Sequence, residues 1–148
     1  MGLMVHGLVR WLVLGGAVAA TVLAWQASRG RAVSAPLHKR ANLLYLISVD
    51  VQLVLGLWLW LQSPLVKSAR LDMAAAMHDP QLRFFTVEHP ALLLLATVAM
   101  HVGFALAKRA QGQAAAYRKA FLAYAASLAL ILLAIPWPFR AVGRALWP

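Results

Sequence analysis

Four apolar runs, each close to the length that crosses a bilayer, constrain this chain more than any other feature. They fall at about 3–25, 42–62, 88–107 and 117–135, and a membrane-spanning helix needs about 20 mainly apolar residues. Of the 148 residues 63% are hydrophobic, mean hydropathy is +0.73 and only four side chains are acidic. A soluble domain of this length does not tolerate that balance. The sequence therefore predicts one all-α domain over 1–148, a transmembrane four-helix bundle of up-down-up-down topology with the lipid bilayer as its surroundings. Short connections between successive spans imply antiparallel neighbours.

Exclusions follow from the rest of the composition. There is no cysteine, which removes disulfides, thiolate metal sites, iron–sulfur ligation and covalent c-type haem attachment. The net charge of +10 comes from Lys and Arg clustered between the apolar runs, the pattern of membrane loops and not of a nucleic-acid surface. The first run has no basic residue ahead of it and holds Arg10 inside it, so it reads as a retained helix, not a cleaved signal peptide. The connections 1–2 and 3–4 carry Arg29, Arg31, Lys39, Arg40, Lys108, Arg109, Arg118 and Lys119. The opposite side carries Lys67, Arg70, Arg83, Arg140 and Arg144. Counting positive charges places the first group in the cytoplasm and both termini outside.

The one long connection, residues 63–87, has Leu65, Val66, Ala69, Met73 and Met77 at near-helical spacing with charges between them. That spacing predicts a short amphipathic helix on the outer interface. Gly15, Gly16, Ala125 and Ala126 in spans 1 and 4 suit either close packing against a second copy of the chain, a homodimer, or room for a cofactor within the bundle.

Ionisable residues inside spans are expensive and mark function. His6 and His89 each lie about one turn below the outer surface, on spans 1 and 3, which are diagonal partners in a simple bundle. Two imidazoles facing each other across the core at one depth are what a bis-histidine haem b requires. Arg10 shares a helix face with His6, and Arg10, Arg83 or Arg140 can pair with haem propionates. His101 lies twelve residues beyond His89, about 18 Å further along the helix, and on another face. Asp50 of span 2 falls at the depth of His101, with Tyr124 near the same level. Three roles fit an Asp50–His101 pair: a second haem's ligand with its orienting carboxylate, a proton site, or an interhelical clamp. His38 reads as interfacial and His78 as solvated. The five histidines form no HExxH and no tight ligand cluster, which argues against a zinc hydrolase.

The stretches "VHGLVRWLVL", "DVQLVLGLWLW" with "SP", "RFFTVEHPALLLL…HVG" and "IPWPFR" with "GR" occur in that order. Together they resemble a family of small four-helix bacterial membrane proteins described as b-type cytochromes. The resemblance implies a haem b bundle, one haem per chain with two as the alternative, in the bacterial inner (cytoplasmic) membrane. It makes His6, of the H-x-x-x-R-W pattern, and His89, of the E-H pattern, the leading axial ligands; His101, by its depth and its pairing with Asp50, is the alternative metal ligand. Asp50, Gln52, Arg10 and Arg83 fall within the other shared patterns, and His78 lies outside them. The expected function is electron transfer to or from a quinol, a periplasmic carrier or a partner subunit. The competing readings are a cofactor-free assembly subunit and a small proton-coupled transporter centred on Asp50 and His101.

Overall fold

A computed structural model describes residues 1–110 and 112–145, and the described residues are all-helical. The helices are α1 (Gly2–Ser28), α2 (Ala35–Gln62), α3 (Pro64–Leu71), α4 (Met73–His78), α5 (Pro80–Arg83), α6 (His89–Arg109) and α7 (Ala114–Ala134), with a π-helical turn over Phe84–Glu88 between α5 and α6. Four helical segments are long and apolar enough to cross a membrane: Gly2–Ser28, Ala35–Gln62, Pro80–Arg109 and Ala114–Ala134. By that criterion the chain is a multi-pass membrane protein. Each long helix packs on the next in sequence and α1 closes against α7, so α1 faces α6, and α2 faces α7, across the diagonals.

Large apolar side chains such as Leu12, Ile47, Leu95 and Leu133 point outward, while much of the buried surface between helices is alanine: Ala17, Ala20 and Ala24 of α1, Ala96 of α6 and Ala120 of α7. Lipid tails are as apolar as leucine, so helices in a bilayer gain little by hiding leucines. They associate through close backbone approach at small residues. At Gly16 a Cβ would sit 2.9 Å from Tyr45 Cα, and at Gly103 it would sit 2.6 Å from Tyr124 Cδ1. These two glycines set the α1–α2 and α6–α7 spacings. Gly15 has open space around it and takes no part.

Two buried tyrosines fill the centre, Tyr45 and Tyr124, their rings 5.8 Å apart. Ser127 Oγ donates to Ala96 O at 2.6 Å, and Tyr45 O–H donates to Ser127 Oγ at 2.6 Å. This relay ties α2, α7 and α6 together in the core. Tyr124, expected near the level of Asp50 and His101, lies against Gly103, two residues from His101, and is turned inward.

The helices run beyond the apolar windows of the sequence. α2 starts at Ala35 with Pro36 in its first turn, where the missing N–H costs nothing, and carries Lys39 and Arg40 on its extension. The connection after α2 is three short helices and not the single amphipathic helix the spacing suggested. Its breaks are chemically plain: Ser63 Oγ, Asp72 Oδ1 and Asp79 Oδ1 accept from the N–H groups of Val66, Ala75 and Leu82, so each short helix has its own N-cap. Val66, Ala69 and Ala76 are buried, whereas Met73 is exposed.

Gly103→Ala forces the Tyr124 ring to move and should cost about 1–3 kcal/mol, as core overpacking does. Gly15→Ala, a helical site with open space, should be neutral or slightly stabilising. Denaturant titration of both variants in detergent micelles checks the contrast.

Candidate functional site

Sequence chemistry builds the His89 end of the bundle from Pro90 backwards. Pro90 lies in the first turn of α6 and has no N–H, so the carbonyl of Thr86, one turn back, loses its helical donor. The indole of Trp60 on α2 supplies the replacement, Nε1–H donating to Thr86 O at 3.1 Å. Just before the proline the helix widens into a π turn, with the His89 N–H reaching back to Phe84 O. Such turns recur at functional sites, and this one sets the bearing of His89.

His6 and His89 meet across the diagonal, with ring centroids 6.4 Å apart and planes at 66°. Each ring is held from behind. His89 Nδ1–H donates to Ala134 O, at the end of α7, at 2.8 Å, which leaves Nε2 as its other nitrogen. Phe84 and Phe85 flank it at 5.8 and 6.3 Å. His6 lies against Gly56, where a Cβ would fall 3.0 Å from its Cε1. Gln52 Nε2 donates to His6 O at 3.1 Å and contacts His6 Nε2 at 3.2 Å. Gln52 and Gly56 are four residues apart on α2, one face of one helix. That spacing is the signal by which their shared role could have been read.

The arginines divide. Arg10, half-buried, places its guanidinium 5.4 Å from the Trp11 ring centroid. Arg83 Nε donates to Glu88 Oε1 at 2.6 Å and Nη1 to Met77 O at 3.1 Å. Arg140 Nη1 donates to Leu133 O near the end of α7 and to Ile135 O just beyond it, and its guanidinium stands 5.0 Å over Phe84. Arg144, which the sequence reading did not single out for the site, stands 4.3 Å over Phe85. The segment after α7 thus folds over the π turn and brings two cations beside the aromatic wall of His89.

His101 Nε2–H donates to Asp50 Oδ1 at 2.9 Å, joining α6 to α2. The pair lies on the outside of the bundle, the side chains 49% and 46% exposed, well apart from His6 and His89. His78 is exposed at the end of α4, and His38 is buried at the opposite end of the bundle.

Among the described residues, no group of three or more His, Cys, Asp or Glu side chains converges to hold a bare metal ion. The His6–His89 pair offers two nitrogens and no third. Comparison of the chain with protein families, with curated proteins and with solved structures finds no match.

A double-mutant cycle on Asp50→Asn and His101→Ala should give a coupling of about 0.6–1.7 kcal/mol, the range of interhelical hydrogen bonds in membranes. The same cycle should leave the His6–His89 end unchanged by cross-linking or spectroscopy.

Proposed function

We propose that the chain is a membrane-embedded b-type cytochrome in which His6 and His89 are the axial ligands of one haem b. The observation that carries this reading is the opposition of the two imidazoles from diagonal helices. Two metal–nitrogen bonds of about 2 Å each, extended to the centres of their rings, would span about 6 Å, close to the centroid separation of 6.4 Å. A bare ion needs three or four protein ligands, but a haem needs two from the protein, and two is what this end of the bundle supplies.

When bound, the haem supplies a one-electron couple. The chain's own residues do the rest. Ala134 O fixes the tautomer and bearing of His89, as outer partners of ligating histidines do. Gln52 keeps the Nε2 lone pair of His6 engaged through a hydrogen bond, and rotation of its amide releases that nitrogen. The missing side chain at Gly56 gives the His6 ring its place. Arg10, Arg83, Arg140 and Arg144 are the cations at this end for propionates, with Arg83 also paired to Glu88 and Arg140 Nη1 also on the carbonyls of Leu133 and Ile135. If His6 and His89 both held the iron, oxygen or substrate would have no position on it, which favours electron transfer over catalysis. The redox partner is a quinol, a periplasmic carrier or a partner subunit.

The same reading gives the bundle an up-down-up-down topology in the bacterial inner membrane, with both termini and α3–α5 outside. There α3–α5 lie at the interface and cover the haem end. Asp50 and His101 serve as a clamp between α2 and α6, because a pair on the outer face of the bundle is poorly placed to line a conduit through it.

Reduced-minus-oxidised spectra of the purified protein test the ligands. The wild type should show the sharp bands of a low-spin b haem. His6→Ala and His89→Ala should each abolish that spectrum or turn it high-spin, and His101→Ala should leave it in place. Loss of the low-spin bands only in His101→Ala would overturn the assignment.

A further inference from the structure

The opposite end of the bundle holds an open cavity of about 670 Å³, lined by α1, α2, α6, α7 and the two connections 1–2 and 3–4. Arg31, Lys39 and Lys108 line it, together with the polar side chains of His38, Asn42 and Tyr117. The chain's four carboxylates lie elsewhere: Asp50 in mid-span, and Asp72, Asp79 and Glu88 in and after the 63–87 connection at the other end. Three cations therefore surround a hollow that has no carboxylate to balance them.

The polar residues of this hollow are unusual for a membrane protein. His38 and Asn42 are 8% and 6% exposed. Asn42 Nδ2–H donates to His38 Nδ1 at 3.3 Å, so the hydrogen of the neutral ring is on Nε2. That Nε2–H donor and the Asn42 Oδ1 acceptor have no partner among the described residues. Tyr117 meets the His38 ring edge-on at 5.1 Å and keeps it upright. Buried donors and acceptors in hydrocarbon are costly when unmade. An anionic oxygen would meet the cations, and His38 Nε2–H and Asn42 Oδ1, closed off from the surface here, would gain partners from such a ligand by turning their side chains toward the hollow.

We infer that this cavity binds the headgroup of an anionic glycerophospholipid, a phosphodiester bearing free hydroxyls. Basic hollows between helices at a membrane surface are suited to such headgroups. The phosphate is set among Arg31, Lys39 and Lys108, and the headgroup hydroxyl donates to Asn42 Oδ1. The acyl chains run down the apolar flank beside Leu43 and Phe104, which also line the cavity. The site stands at the end of the bundle away from His6 and His89, so it does not depend on haem binding.

Native mass spectrometry of the full chain in uncharged detergent, titrated with phosphatidylglycerol or phosphatidylcholine, tests it. Phosphatidylglycerol should bind as one tight equivalent. The double substitution Lys39→Gln with Lys108→Gln removes two cavity cations and should weaken it about thirty-fold, taking each basic group near the surface at its usual worth. Arg118→Gln with Lys119→Gln removes the same charge from the same end outside the cavity, where solvent screens it from the phosphate, and should weaken it less than about threefold. All four positions are exposed, and helicity by circular dichroism confirms that the variants fold. Equal losses in the two doubles, or equal binding of phosphatidylcholine, would overturn the site. Release of the lipid by excess inorganic phosphate would assign the cations to a free phosphate ion and overturn the lipid headgroup.

Discussion

The hydrogen-bond relay from Tyr45 through Ser127 to Ala96 O holds the centre of this bundle, and the remaining geometry is arranged around it. A hydroxyl in hydrocarbon needs a partner within the protein. Tyr45 finds its partner on the diagonal helix, and Ser127 passes the bond on to α6. With the core pinned there, and with Gly16 and Gly103 fixing the distances between neighbouring helices, the two ends are free to differ. One end brings two histidines together, and the other opens into a basic cavity.

At the histidine end, a local backbone irregularity positions the side chain. Pro90 cannot donate to Thr86 O, Trp60 does so from α2, and the π turn before it widens the helix. His89 is then braced by the last carbonyl of α7 and by two phenylalanines, themselves covered by Arg140 and Arg144. His6, on a plain stretch of α1, is positioned from outside by Gln52 and Gly56. One ligand candidate is thus set by its own helix and the other by its neighbour. This asymmetry makes α2 as important to the site as the helices that carry the histidines.

Much of this was legible because depth along a helix is simple arithmetic. Residue counts put His6 level with His89 and Asp50 level with His101, and both pairs are in contact. Facing was not legible. In spans apolar on every side, periodicity does not distinguish core from lipid, so the outward placement of Asp50 and His101 and the inward turn of Tyr124 had no sequence signal. Hydropathy also started α2 and the third span too late, since a helix extends into polar residues outside the hydrocarbon. The connector's apolar spacing pointed to one helix, whereas the caps at Asp72 and Asp79 divide it. Those caps were there to be read in "LDMAAAMHDP", and they outweigh a short periodic pattern.

The central claim is that two imidazoles hold one haem b per chain. A pyridine haemochrome assay on protein purified from haem-replete cells measures haem type and stoichiometry together. The account predicts a b-type haemochrome at one equivalent per chain. Folded, monodisperse protein without haem from those cells would contradict it.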